Sequence, residues 1–173
     1  MLPTMLGATY EDQDCAIARS LETLGERWTL LIVRDAFFGV RRFSDFQAHL
    51  DIPKAVLSDR LAGLVKDGVL TRKPDKDRNG RHVYALTARG RELWPVLHSL
   101  LVWGGRHRAP NSRAFSHAQC GTELDDRGDC PACSLTPAPE DIVCALRPGR
   151  GRRIDRVSVA LREPHRLLEP LTV

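Results

Sequence analysis

The stretch from Phe43 to Gly68, FSDFQAHLDIPKAVLSDRLAGLVKDG, decides the fold. Ser44 is a candidate N-cap for a short helix over Asp45 to Leu50. Asp51-Ile52-Pro53 then breaks the chain, and a second helix is expected from Lys54 to Asp67, closed by Gly68. Leu57, Leu61, Leu64 and Val65 recur at helical spacing and form one apolar stripe, leaving Lys54, Ala55, Ser58, Asp59 and Ala62 on other faces. Two helices joined by a tight turn make a helix-turn-helix, whose second helix can enter a DNA major groove.

Beyond Gly68 the period changes from helical to alternating. Val69 to Pro74 and His82 to Leu86 read as two strands around the turn-rich loop Asp75 to Gly80, which predicts a hairpin with a basic tip. Thr87 is then expected to cap a long amphipathic helix running through Leu93, Leu97 and Leu101 to Trp103, stopped by Gly104-Gly105, with Pro95 predicting a kink or an offset start. Upstream, Asp14 can cap a helix through Cys15, Ile17, Ala18, Leu21 and Leu24. A more uniformly apolar helix from Trp28 to Phe37 should form the centre of the core. The order of elements is that of a winged helix: α+β, mainly α, with a small Cys/His-containing extension after it. We expect a flexible arm at 1–13, the winged helix with its dimerisation helices at 14–107, and a separate small module at 108–173.

Charge is concentrated where such a fold would meet DNA. Arg72, Lys73, Lys76, Arg78, Arg81 and His82 crowd the hairpin, and Arg41, Arg42 and Ser44 precede or open the first helix of the motif. Cations there can neutralise phosphates with release of counterions. On the second helix Lys54 and Ser58 can meet base edges or phosphates, Ala55 can meet a thymine methyl, and Arg60 can offset the neighbouring Asp59. The bland reading of the same charges is a solvated face on a module used for protein contact. The conjunction of motif and basic hairpin favours DNA.

The stretch from Cys15 to Phe37, then Arg42-Phe43-Ser44-Asp45-Phe46, Val56 to Leu61, Gly68-Val69-Leu70 and Tyr84 to Gly90, resembles the HxlR family of bacterial winged-helix transcriptional regulators over about residues 14–107. The resemblance implies a cytoplasmic homodimer, joined mainly through the first and last helices of the module and reading a two-fold operator in double-stranded DNA. It also raises thiol-based sensing at Cys15, which sits where a helix dipole favours thiolate while Asp12 and Asp14 oppose it. The alternative for Cys15 is a small apolar residue packed at the dimer seam. Operator, direction of control and any small-molecule effector are not encoded in these motifs.

In the tail, His117-Ala-Gln-Cys120 and Cys130-Pro-Ala-Cys133 have the two-residue spacing of zinc knuckles, and one histidine with three cysteines would make one closed, structural Zn2+ site. A ribbon without metal is equally compatible with these residues. A thiol-redox centre at Cys130 and Cys133 would need a strand-to-helix context that the surrounding prolines do not supply. Further on, Ile142 to Leu146 alternates like a strand with Cys144 packed. The arginines from Arg147 to Arg156 read as a linker, and Val157, Val159 and Leu161 alternate like another strand.

Composition bounds the rest. With 173 residues, 42% hydrophobic and 28% charged, the chain can bury a core without staples. A net charge of +4 permits a polyanionic partner without requiring one. Its longest uncharged apolar run falls far short of the ~20 residues that span a bilayer, so no membrane partner is expected. Neither a Ser-His-Asp arrangement nor a glycine-rich phosphate loop is present to suggest an enzyme.

Overall fold

The computed structural model describes residues 9, 10 and 12–173. Most of the arm expected at 1–13 therefore lies outside the described residues. Four helices lead the chain: α1 (Ala16–Leu24), α2 (Thr29–Phe37), α3 (Phe43–Leu50) and α4 (Lys54–Lys66). Strands β1 (Leu70–Pro74) and β2 (His82–Leu86) pair antiparallel, with Leu70 opposite Leu86 and Pro74 opposite His82. Phe37, Phe46, Ile32, Leu57, Leu61 and Leu64 are almost fully buried at the centre. Each contributes roughly 1.5–3 kcal/mol relative to exposure.

Several boundaries differ from the sequence reading for local reasons. Cys15, not Asp14, caps α1, and α3 begins at Phe43, capped by Arg42 in extended backbone, so Ser44 lies inside its first turn. Asp51 closes α3 in the left-handed region at φ 53°, which gives the turn its sharpness. The single helix expected after Thr87 is two. The Thr87 hydroxyl accepts from the Gly90 N–H to cap α5 (Ala88–Arg91), and α6 (Trp94–His107) restarts with Pro95 in its first turn, where a missing N–H costs nothing. Gly104-Gly105 does not stop α6, because the glycines are followed by backbone that still closes onto them: the Arg108 N–H donates to the Gly104 carbonyl.

The tail does not stand apart as a separate module. Strands β3 (Arg113–His117), β4 (Ile142–Leu146) and β5 (His165–Arg166) form a three-stranded antiparallel sheet in the order β3-β4-β5. Phe115 of β3 meets the Trp94 ring edge-on at 5.2 Å and stacks near Phe38 at 6.5 Å, so one apolar core runs through both halves. The alternation at Val157, Val159 and Leu161 belongs to a helix: α7 (Arg156–Ala160) is capped by the Asp155 carboxylate and buries Val157 and Leu161 one turn apart. The arginine-rich segment is tied down rather than a free linker, with Arg147 paired to Glu123 and Arg156 to Asp45. Finally the C-terminal strap lies along the end of α2, where the Leu168 N–H donates to the Phe37 carbonyl and the Leu171 N–H to Gly39.

Candidate nucleic-acid interface and metal centre

Helix α4 is held by Leu57, Leu61 and Leu64, which are buried, while Lys54, Ala55 and Ser58 are exposed on its opposite side. Lys54 stands at the N-terminal end of α4, where unpaired N–H groups and the helix dipole favour phosphate. Arg42, Ser44, Arg72, Arg78, Arg81 and His82 line a groove of about 300 Å3 between the start of α3 and the β1–β2 hairpin. Lys73, Lys76, Arg78 and Arg81 are exposed and form no ion pair among the described residues. The Arg72 guanidinium lies 3.0 Å from His82 Nδ1 across the hairpin.

Two arginines named with this group are committed elsewhere. Arg42 donates to Asp75 at 2.9 Å and to Asp77 at 3.1 Å, an arrangement that fastens the hairpin loop to α3. That bond raises the guanidinium pKa and holds the Asp75 carboxyl below the usual carboxylate range. Arg42 is thus a brace, with its charge already neutralised. Arg60 donates to Glu26 at 2.8 Å, toward the α1–α2 connection, rather than offsetting Asp59. Arg41 is half-buried, and its carbonyl accepts from the Tyr84 N–H.

In the tail the β3 end and the loop after it gather His117, Cys120, Cys130 and Cys133, with all four ligand atoms within 4.8 Å of one another. Cys120 Sγ lies 3.4 Å from Cys130 Sγ and 3.5 Å from His117 Nδ1. Tetrahedral zinc with ~2.3 Å Zn–S and ~2.0 Å Zn–N bonds separates its donors by a similar amount, so the cluster fits a metal of that kind. His117 and Cys130 are buried, Cys133 half-buried and Cys120 exposed. Hydrogen bonds from Thr122 pull the Cys120 thiol down to about 6, whereas sharing with Cys120 and burial push Cys133 up to about 11. Cys120 is thus the thiol readier to ionise and Cys133 the one that resists. Cys15 is exposed and belongs to no such cluster among the described residues, and Cys144 is buried in β4.

Two features escaped the sequence reading. Asp35 is fully buried in α2, where Arg34 (2.7 Å) and His49 Nδ1 (2.7 Å) both engage it. His98 is buried among apolar residues of α6, and burial lowers its pKa. An acid inside an otherwise apolar helix and a histidine in a leucine run were the available signals.

A family model described as HxlR-like helix-turn-helix matches residues 23–112, and the chain belongs to that family. An HTH-type transcriptional regulator of Mycobacterium bovis, Mb3122, is 41% identical over 135 residues, covering 72% of this chain and 85% of its own. That alignment is longer than the family match. Among solved structures, a candidate transcription factor, PA1607, is 33% identical with a TM-score of 0.58, covering 83% of this chain and 95% of its own. The redox regulator HypR in its reduced form is 25% identical with a TM-score of 0.51 over 54% of this chain and 94% of its own. Among the described residues no helix is long and apolar enough to cross a membrane.

Proposed function

We propose that the protein is a homodimeric, sequence-specific DNA-binding transcriptional regulator, with α4 in the major groove and the hairpin on flanking DNA. The observation that carries this reading is the face made by Lys54, Ala55 and Ser58, exposed opposite the buried leucines and continuous in chain order with the unpaired cations of the hairpin. The names of its relatives, HTH-type transcriptional regulators, support it. In this reading the chain works by binding and is not an enzyme.

A two-fold site needs two copies, and the molecule carries a surface suited to one. Ile17 and Leu21 on α1 are 72% and 47% exposed, and Val96, Leu100 and Trp103 on α6 are 45%, 48% and 52% exposed, each set at helical spacing on one face. Burial of these faces against a second copy would form an isologous interface. Cys15 is the N-cap of α1, two residues before Ile17, and its exposure supports a secondary reading in which thiol oxidation alters the seam. The Cys/His cluster is read as one structural Zn2+ that ties the loop between β3 and β4 to the end of β3.

The test is fluorescence anisotropy on DNA from upstream of the gene, against scrambled competitor at two salt concentrations. Selective binding that survives the higher salt supports sequence reading. Binding that ignores sequence and vanishes with salt favours the protein-contact alternative.

A further inference from the structure

Between α2, α6, β3 and the segment before α7 lies a cavity of about 960 Å3. Its size falls at the upper end of the ~300–1,000 Å3 typical of small-molecule sites. The walls are apolar and aromatic: Trp28, Phe38, Trp94, Leu97 and Phe115 all line it. Five arginines line it as well, Arg34, Arg108, Arg113, Arg152 and Arg153, and no aspartate or glutamate does. Of these, Arg34 is engaged by Asp35 and Arg153 by Asp155. Arg113 has no carboxylate partner among the described residues: its guanidinium donates to the Leu161 carbonyl at 3.0 Å and lies 5.1 Å over the Phe38 ring, leaving further N–H donors unused. Arg152 is exposed and likewise forms no ion pair among the described residues.

His98 lines the same cavity, is 5% exposed, and its Nδ1 is buried with no hydrogen-bond partner. That nitrogen lies on the side of Gly128, where an added Cβ would fall 3.5 Å from it.

The cavity is also distinct from the face read as the dimer surface. With 100° per residue, Trp94, Leu97, His98 and Leu101 lie on one side of α6, while Val96, Leu100 and Trp103 lie on the other. Of the latter three only Leu100 also lines the cavity. A second copy seated on the exposed band would therefore leave most of the cavity wall uncovered.

We propose that this cavity binds a small organic acid, an aromatic or otherwise flat apolar body bearing one carboxylate or sulfonate, with the body against Trp94 and Phe115 and the anion on Arg113 and Arg152. Aromatic walls reward stacked or edge-on rings, and a guanidinium already resting on an aromatic face is oriented for bidentate recognition of a planar anion. The site joins both halves of the chain, since β3 and Arg152 come from the extension while α2 and α6 come from the winged helix. Such an occupant would link the dimer helix to the segment leading into α7.

Isothermal titration calorimetry of the full chain with 2-naphthoate and its neutral analogue 2-naphthamide tests this, without DNA, so its failure would leave the DNA-binding reading standing. We expect one naphthoate per chain, at least tenfold tighter than the amide. Arg113→Met should erase that preference. Because Arg113 also holds the Leu161 carbonyl, the exposed Arg152→Gln is the second variant, and it should weaken naphthoate about threefold with an unchanged melting temperature. Absence of naphthoate binding, equal affinity for acid and amide, or wild-type affinity in both variants overturns the proposal.

Discussion

Arg156 of α7 pairs with Asp45 of α3 at 2.6 Å, joining the extension to the first helix of the helix-turn-helix. Asp45 is 6% exposed, so the pair neutralises a carboxylate that the fold has largely removed from water. The first helix of the motif is thus braced by a residue more than a hundred positions away in the sequence. The extension is part of the mechanical frame of the winged helix.

Breaking that pair should loosen the frame. Arg156→Ala leaves Asp45 buried without its guanidinium and is expected to cost about 1–3 kcal/mol, with Asp45→Asn in the same background restoring part of the loss. Thermal melts of the two single variants and the double variant measure the coupling. Strictly additive losses would show that the pair contributes nothing.

The two kinds of DNA contact should separate experimentally. Lys54→Ala and Ser58→Ala are expected to change preference among operator variants by about 1–3 kcal/mol per base position. Arg78→Ala and Arg81→Ala should weaken operator and random DNA alike and reduce the salt slope by about one each. Arg42→Ala should act differently again, lowering affinity by freeing the hairpin loop from Asp75 and Asp77 rather than by removing a phosphate contact, so its salt slope should stay near wild type. Identical effects across all five variants would refute these roles.

Gly39 predicts a strict steric requirement. Its φ is +80°, and a Cβ there would sit 1.8 Å from the Glu169 carbonyl oxygen, where the C-terminal strap crosses the end of α2. Gly39→Ala should therefore displace the strap, destabilise the protein by more than the ~1–2 kcal/mol of left-handed strain alone, and expose the Leu168 amide to hydrogen exchange. Unchanged protection at Leu168 would count against this contact.

Acid should destabilise the fold through His98. Burial holds its pKa below the ordinary 6.5, so above that pH the ring is neutral in folded and unfolded chains alike. As pH falls through 6.5 the unfolded chain takes up a proton that the folded chain refuses, and stability declines until the folded-state pKa is reached. Asp75 adds a second loss at lower pH: its depressed pKa contributes stability above the unfolded carboxylate range, which disappears as pH falls through the folded value. Melting temperatures of wild type and His98→Phe between pH 7.5 and 5 should diverge below about 6.5, with the variant falling less. Parallel curves would exclude His98 as the source.

Removal of metal should act locally at first. If zinc joins His117, Cys120, Cys130 and Cys133, a chelator should make the loop from Cys120 to Cys133 susceptible to protease while β3 and β4 stay paired, because Phe115 and Ile142 are held by the common core. Cys130→Ser should reproduce that pattern and purify without stoichiometric zinc. A wild-type preparation containing no zinc, with a protected loop, would assign the cluster to thiol packing.

The sequence by itself determined the helix-turn-helix, the hairpin and the four Cys/His positions, because each depends on spacing within one or two turns: leucines at Leu57, Leu61 and Leu64, the loop from Asp75 to Gly80, and two residues between each pair of ligands. Local patterns are written in neighbouring residues. The same arithmetic misread Val157 to Leu161 as a strand, since a five-residue apolar alternation fits either period until burial selects one face. Only the tertiary structure decided that the extension packs on the winged helix, that Arg42 and Arg60 are spent on Asp75 and Glu26, and that Arg113, His98 and Trp94 face one cavity. Those outcomes depend on contacts between distant segments, and a cavity wall has the same composition as a core.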